Sequence, residues 1–447
     1  MDIVIAGDGE VGFHLAKSLS KVKHNITVVD PNSELLKMLE SESDLLTIAG
    51  NSTSLKTLKE ACVDKCDLLI AVLHNENINI ITCMLGKRLG AKRTIARVNT
   101  QEYLIDKNRE MFKGMGVDEL VCPEKIAAKE ISNLLIRNVA TELFDFSNGL
   151  LCIYMLRIDN KALIINKTLV QVAQEYPKLD VRTVCFIRKG KTIIPNGQDM
   201  YLVGDLVYFI AKPDGIEKIK EIGGKKDIVI KSAMIIGGGR IGKRAAANLV
   251  ANKMNVKVVE SDSKRSKALA DEVADIMVIE GSGSDIALLK AEGIAATDAF
   301  IAVTGSTETN IMSCLYAHSQ GVKKTIALVE NVNYIDVSQG IGIDTIINKK
   351  LITASYIARF TLEGDVTSSK WLSGIDAEVV EVVVKENSNI TKHIIKDIKF
   401  PKGVNIGGVV RNGKAIIADG SLQILAGDKV VAFTIPEVAN KFVKLLS

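Results

Sequence analysis

Short apolar runs alternate with amphipathic stretches from the first residues of the chain. Residues 2–6, 26–30, 44–48, 67–73 and 93–98 are rich in β-branched and aliphatic residues. Between them, segments such as EVGFHLAKSLS and NENINIITCMLGKRLG repeat apolar positions at helical spacing. This alternation predicts βαβ units and a parallel, doubly wound α/β sheet. Val, Ile and Leu fill consecutive positions within the strands, which implies burial on both faces.

The pattern changes near Pro123. PEKIAAKEISNLLIRN has proline in its first turn and apolar residues recurring at three and four, the signature of a helix linking two lobes. Beyond it, VRTVCFIRKGKTIIPNG predicts two strands around a KGK turn and GDLVYFIA a third, with a short helix before them. This is a small α+β module. Its apolar sheet face calls for a partner, and a second module of the same kind is the expected one.

The whole plan then repeats. IVIAGDGEVGFHLAKSL from Ile3 returns as AMIIGGGRIGKRAAANL from Ala233, so that Gly7, Gly9 and Gly12 match Gly237, Gly239 and Gly242 at an offset of 230. ITVVD matches VKVVE, IAGNS matches IEGSG, CDLLIAVLHNENIN matches TDAFIAVTGSTETN, and KRTIARV matches KKTIALV. The small modules match too, RKGKTIIPNGQDMYLVGDLVYFI from Arg188 against RNGKAIIADGSLQILAGDKVVAF from Arg411. The expected organisation is a Rossmann-like lobe at 1–122, a linking helix at 123–140 and a small lobe at 141–225. The second copy follows as a Rossmann-like lobe at 232–348, a linking helix at 349–367 and a small lobe at 368–447. The glycine and lysine stretch GGKKDIVIKS joins the halves.

The three glycines carry the chemistry. In both halves they follow a strand and open a helix, and an acid closes the next strand eighteen residues after the third glycine: Asp30 in the first half, Glu260 in the second. Gly7 allows a tight turn, Gly9 close approach of a pyrophosphate, and Gly12 packing of helix on strand. Backbone N–H groups at the helix start face the phosphates, and the helix dipole adds about 0.3–1 kcal/mol per favourable charge. Asp30 accepts ribose hydroxyls and repels a 2′-phosphate, so the expected ligand is an adenosine nucleotide, NAD rather than NADP. Glu260, with Asp262 close behind, has the same logic. Arg97 ends the fifth strand on the carboxyl edge, where a guanidinium reaches a phosphate bidentately, whereas its counterpart is Leu328. Leu73 and His74 close the fourth strand beside the ligand, with Thr304 and Gly305 as their counterparts. The second turn's occupancy is left open.

Composition narrows the function classes. The chain has 447 residues, 47% apolar and 25% charged, the ordinary globular balance. A net charge of +4 and 4% aromatic residues give little to hold a phosphate backbone or stack bases, so no nucleic-acid partner is expected. No apolar run approaches the ~20 residues that span a bilayer, and no secretory leader is evident, which points to the cytoplasm. The seven cysteines are scattered without a C-x-x-C pair. Cys62 and Cys66 flank VDK with no further ligand nearby, so buried thiols are expected and no metal.

A dehydrogenase needs a general acid or base near its nicotinamide and a substrate pocket. The five histidines, at 14, 24, 74, 318 and 393, form no evident pair with an acid, and no catalytic motif is present. Duplication of a nucleotide turn without catalytic residues favours binding and switching over turnover. No catalytic residue is assigned.

GDGEVG, VVD, GNS, CDLLIAVLHNENIN and ARV, followed by a linking helix and a module with GD(L/K)V, together resemble the RCK family of domains that regulate conductance of potassium. Two such domains in tandem over nearly the whole chain resemble the regulatory subunits of bacterial Trk potassium uptake systems. The resemblance implies a non-enzymatic protein that binds NAD(H), and ATP or ADP, and forms a homo-oligomeric, tetrameric ring. The ring lies on the cytoplasmic face of the inner membrane beneath a potassium channel of the TrkH or TrkG type. It implies binding roles for Gly7, Asp8, Gly9, Glu10, Val11, Gly12, Asp30, Asn51, Ser52, Leu73, His74 and Arg97. In the second half it implies them for Gly237, Gly238, Gly239, Arg240, Ile241, Gly242, Glu260, Thr304 and Gly305. The alternatives are an NAD-dependent oxidoreductase and a ligand-sensing module of another cation transporter.

Overall fold

The computed structural model describes all residues except 8, 21–23, 137–142, 178, 189–190, 225–229, 332–333, 362–365, 372–376 and 447. Lys189 and Gly190 of the KGK turn and residues 225–229 of the expected junction between halves lie outside the described residues. The chain divides into two compact units, residues 1–126 with 349–362, and residues 127–348 with 363–447.

The first unit is built on β1 (Asp2–Ala6), α1 (Glu10–Ser20), β2 (Asn25–Asp30), α2 (Ser33–Glu42), β3 (Leu46–Ala49), α3 (Leu55–Glu60), β4 (Leu68–Ala71), α4 (Glu76–Leu89), β5 (Arg93–Arg97), α5 (Asp106–Gly114), β6 (Glu119–Val121) and the start of α6 (Pro123–Ile136). Its six strands are parallel in the order β3-β2-β1-β4-β5-β6, the doubly wound Rossmann order. Ile3, Val4, Ile5 and Ala6 are all buried, as consecutive apolar residues in a sheet covered on both faces require.

The small lobe of the first half contains β7 (Leu143–Phe146), β8 (Leu151–Arg157), α7 (Leu169–Glu175), β9 (Val181–Arg188), β10 (Lys191–Ile193), β11 (Leu206–Ala211) and α8 (Gly215–Ile222). The sheet is antiparallel in the order β10-β9-β11-β8-β7. Sequence periodicity anticipates three of these strands and misses β7 and β8. LCIYMLR in β8 is buried at six consecutive positions, so the polar alternation that marks a half-exposed strand is absent.

The second half repeats both sheets. Its Rossmann part runs β12 (Ser232–Ile236), α9 (Arg240–Ala251), β13 (Asn255–Glu260), α10 (Ser263–Glu272), β14 (Ile276–Glu280), α11 (Ile286–Ala291), β15 (Ala299–Ala302), α12 (Thr307–Ser319), β16 (Lys324–Leu328), α13 (Ile335–Gly340), β17 (Thr345–Ile347) and α14 (Lys349–Ala358). Its small lobe is β18 (Val366–Trp371), β19 (Glu378–Val383), β20 (Val404–Arg411), β21 (Lys414–Ile417), β22 (Lys429–Thr434) and α15 (Pro436–Leu446). The orders β14-β13-β12-β15-β16-β17 and β21-β20-β22-β19-β18 reproduce those of the first half. The second linking helix is shorter than 349–367: α14 and a 3₁₀ turn end at Thr361, and Val366 already belongs to a strand.

Helix α14, from the second half of the sequence, packs on α1 within the first unit. There the Arg93 guanidinium donates to the Phe360 carbonyl, closing the C-terminal end of the helix where backbone acceptors are free. In the second unit the two small-lobe sheets share one core. Phe146, Leu151, Ile153, Tyr208 and Ile210 meet Val379, Val410, Val431 and Phe433. The approach is close: a Cβ on Gly407 would lie 2.0 Å from Ile210 Cδ1. Each lobe also carries a matched ion pair between a half-buried arginine and a buried aspartate. Arg188 grips Asp205 at 2.9 and 2.7 Å, and Arg411 grips Asp428 at 2.8 and 2.8 Å, through two parallel donors.

Asp298 anchors the start of the second Rossmann sheet. Its carboxylate accepts from Lys231 N at 2.8 Å, Ser232 N at 3.1 Å and Lys323 Nζ at 2.6 Å. Burial opposes its ionisation, but Lys323 and these amides outweigh it and hold the pKa down to about 2. A folded-state pKa below the unfolded ~3.9 stabilises the fold above that value and is lost as pH falls toward about 2. The expected result is that Asp298→Asn melts lower than the parent by at least about 2 °C at pH 7, with the gap closing as pH approaches 2. A gap independent of pH in thermal melts would contradict this assignment.

Candidate functional site

Each glycine turn follows from one steric fact. Gly7 has φ +107° and Gly237 φ +98°, a left-handed conformation that glycine adopts without penalty. The turn brings the third glycine onto the first: a Cβ on Gly12 would lie 1.7 Å from Gly7 O, and one on Gly242 would lie 1.9 Å from Gly237 O. Val11 and Ile241 are buried at 4% and 6% exposure, so their side chains seat the helix and only their backbone faces the turn. The middle glycines stay accessible. A Cβ on Gly9 would stand 3.7 Å from His74 Nε2, and one on Gly239 would meet nothing within 4 Å. The two halves thus share a glycine-built backbone cradle at the start of α1 and α9, where helix N–H groups and the dipole favour an anion. Asp8 lies outside the described residues. Glu10 and Arg240 are the first residues of their helices, and Arg240 is exposed.

The two acids close their second strands as expected, and both are buried, Asp30 at 8% and Glu260 at 4%. Asp30 Oδ1 accepts from Asn32 N at 2.8 Å. Glu260 reaches further: Oε2 accepts from Gly238 N at 2.7 Å and Oε1 from Asp262 N at 2.9 Å, tying the acid to the glycine turn. Asp262 itself caps α10 by accepting from Arg265 N at 2.8 Å.

Arg97 ends β5 as expected. It is half-buried, and its Nε is buried without a hydrogen-bond partner. An unsatisfied guanidinium donor in an interior costs free energy unless an acceptor arrives. At the matched position Leu328 is buried, and no such demand exists. Leu73 and His74 lie beyond the strand rather than closing it, because β4 ends at Ala71; Thr304 and Gly305 likewise follow β15, which ends at Ala302. Asn51 is exposed, whereas Ser52 is buried. Asn51 Oδ1 accepts from Thr53 N at 2.9 Å, and Ser52 Oγ, buried, pairs with Thr82 Oγ1 at 2.9 Å. They shape the loop at the sheet's carboxyl edge.

Two residues escaped the sequence reading. Asn79 on α4 and Asn310 on α12 are fully buried, and each binds the chain ends of its fourth and fifth strands. Asn79 Oδ1 accepts from Leu73 N at 2.9 Å, and its Nδ2 donates to Leu73 O and Arg97 O, both at 2.9 Å. Asn310 repeats this with Thr304 N at 2.9 Å, Thr304 O at 3.1 Å and Leu328 O at 2.9 Å. The signal was available: the repeated runs HNENIN and GSTETN both end in asparagine.

Among the described residues no group of three or more His, Cys, Asp or Glu could hold a metal. Cys66 is buried, which pushes its thiol up to about 12, but Cys62 is exposed, contrary to the expectation that both are buried. It sits in the turn after α3, at the surface of the sheet's flank. No helix of the described residues is long and apolar enough to cross a membrane.

Two doubly wound Rossmann sheets, each with a glycine turn opening a helix and an acid closing the second strand, define a tandem α/β protein. The TrkA-N domain family matches residues 3–123 and 233–349, and the TrkA-C domain family matches 379–447. The chain belongs to the TrkA family of Trk system potassium uptake proteins. It is 32% identical over 453 aligned residues to the Trk system potassium uptake protein TrkA of Haemophilus influenzae, covering 99% of this chain and 98% of that one. It is 31% identical to the TrkA homolog of Archaeoglobus fulgidus, covering 97% of each. The fold is also that of the GsuK channel bound to NAD, with a TM-score of 0.62 and 17% identity, covering 99% of this chain and 78% of that one. The TrkA relatives are potassium-uptake proteins rather than enzymes, and the chain is a non-enzymatic member of that family.

The steric account predicts a division among the glycines. Gly12→Ala and Gly242→Ala each force a Cβ into a backbone carbonyl and lower stability by about 2 kcal/mol or more. Gly239→Ala leaves the melting temperature unchanged. Equal thermal shifts for Gly242→Ala and Gly239→Ala would contradict this account of the turn.

Proposed function

We propose that this protein is the nucleotide-sensing gating subunit of a Trk-type potassium uptake channel, with NAD(H) bound at the turn Gly7 to Gly12 and ATP or ADP competing for the same cradle. The carrying observation is the Arg97 guanidinium at the carboxyl edge of the first sheet, with a buried donor that has no protein acceptor. A phosphate supplies that acceptor, and Arg's planar donors suit it. The buried Asp30 takes the ribose hydroxyls. The second turn, with Leu328 in place of arginine and Glu260 already bonded to Gly238, holds its nucleotide through the turn amides and Arg240.

A ligand shifts a gating equilibrium only by its different affinity for the two states, and moving a population from 1:99 to 99:1 takes about 5.5 kcal/mol. A homo-oligomeric, tetrameric ring of tandem lobes divides that load among many equivalent sites, each supplying a modest coupling. The ring docks on the cytoplasmic face of a membrane subunit of the TrkH or TrkG type, which holds this chain at the membrane.

Calorimetric titration with NADH, NAD, ATP and ADP tests the ligand assignment. The parent protein binds at least one of them. Arg97→Leu weakens that binding about tenfold, and Gly9→Ala weakens it without lowering the melting temperature. Absence of heat and of thermal stabilisation with every adenine nucleotide would overturn the reading.

A further inference from the structure

In a parallel sheet each strand is bonded to its neighbour along the whole ladder, and a side chain is not needed to hold the pair together. At the carboxyl edge of this sheet the ladder between β4 and β5 stops early. Its last register pair is Ala71 with Ala96. Val72 N still donates to Ala6 O and Val98 N to Val121 O, both at 2.8 Å, on the outer sides of the pair, but the next rung between β4 and β5, from Leu73 N toward Arg97 O, is not made directly. A gap therefore opens between Leu73 and Arg97, and the Asn79 carboxamide fills it with three bonds of 2.9 Å. The second sheet does the same. Its ladder ends at Ala302 with Ala327, Val303 N donates to Ile236 O and Val329 N to Ile347 O, both at 2.9 Å, and Asn310 closes the gap.

We propose that Asn79 and Asn310 are positioning residues of the two nucleotide sites, each serving as a side-chain rung that sets where the site-bearing ends of the fourth and fifth strands lie. This rests on the reading of the glycine turns as nucleotide sites. The residues held are the ones that face the ligand in that reading: Leu73, beside the Gly7 turn, and Arg97 in the first half, with Thr304 in the second. A Cβ on Gly7 would lie 2.9 Å from Leu73 N, the same amide that donates to Asn79, so the rung and the turn meet at one peptide. Only asparagine among small residues offers an acceptor and two donors in one plane at this reach. Aspartate lacks the donors for the two carbonyls, and alanine leaves one amide and two carbonyls buried without partners. The rung is independent of what the fifth strand carries, since it binds the backbone of Arg97 in one half and of Leu328 in the other. That explains how the two sites diverge in side chains while keeping one frame.

The test is a double-mutant cycle on the full chain, read by NADH titration at a temperature where circular dichroism shows every variant folded. Asn79→Ala is expected to weaken NADH binding about tenfold, and in an Arg97→Ala background the same substitution is expected to cost less than about threefold. Asn79→Ser, which keeps one hydroxyl in the cavity, is the second variant and the readout if the alanine variant does not fold, with an intermediate loss expected. NADH affinity within twofold of the parent in folded Asn79→Ala or Asn79→Ser overturns the proposal, as do losses that are fully additive with Arg97→Ala, which mark a general structural role. Failure of the parent itself to bind any adenine nucleotide overturns instead the nucleotide reading on which the proposal rests.

Discussion

The contact between the third and first glycines of each turn is the constraint on which the rest depends. The helix start approaches the strand end so closely that a methyl group at Gly12 would fall 1.7 Å from a carbonyl oxygen. That approach aims the N–H groups of α1 at the carboxyl edge of the sheet. Everything else in the site is arranged at that edge: the acid of β2, the arginine of β5, and the asparagine rung that holds β5 at its distance from β4. The helix that the turn seats is also the one on which α14, contributed by the other half of the sequence, packs in the first unit.

Duplication has preserved the frame and released the side chains. Sheet order, turn geometry, the capping of helices by asparagine, aspartate or serine, and the rung recur in both halves. Arg97 becomes Leu328, His74 becomes Gly305, and Asp30 becomes the longer Glu260, which folds back to the turn amide. The first site is left with a donor in need of an acceptor, whereas in the second the acid is already bonded to the turn amide. Under the proposed function such a pair suits sensing, with two sites of unequal appetite reporting on one pool of nucleotides.

Much of this was legible in the sequence, for physical reasons that can be named. The turn is fixed by glycine chemistry, and consecutive apolar strands announce a sheet buried on both faces, so the doubly wound sheets and their repeat were readable. The strand β8 was not, because burial at six consecutive positions erases the alternation that marks it. The ends of β4 and β15 were placed too late because apolar character continues past the point where the ladder ends. Ser52 and Asn51 make loop-shaping bonds that the shared motif alone does not announce. Asn79 and Asn310 look like ordinary polar residues of a helix's first turns; only the splaying of β4 from β5, a tertiary fact, shows what they hold.

The central claim is that nucleotide state at these turns sets potassium permeation through a membrane partner. The most direct measurement is potassium flux into proteoliposomes containing a Trk-type channel subunit, with and without this protein, across NAD, NADH, ATP and ADP. The account predicts flux that depends on the presence of this chain and changes with the nucleotide supplied. Flux identical under all of these conditions would contradict it.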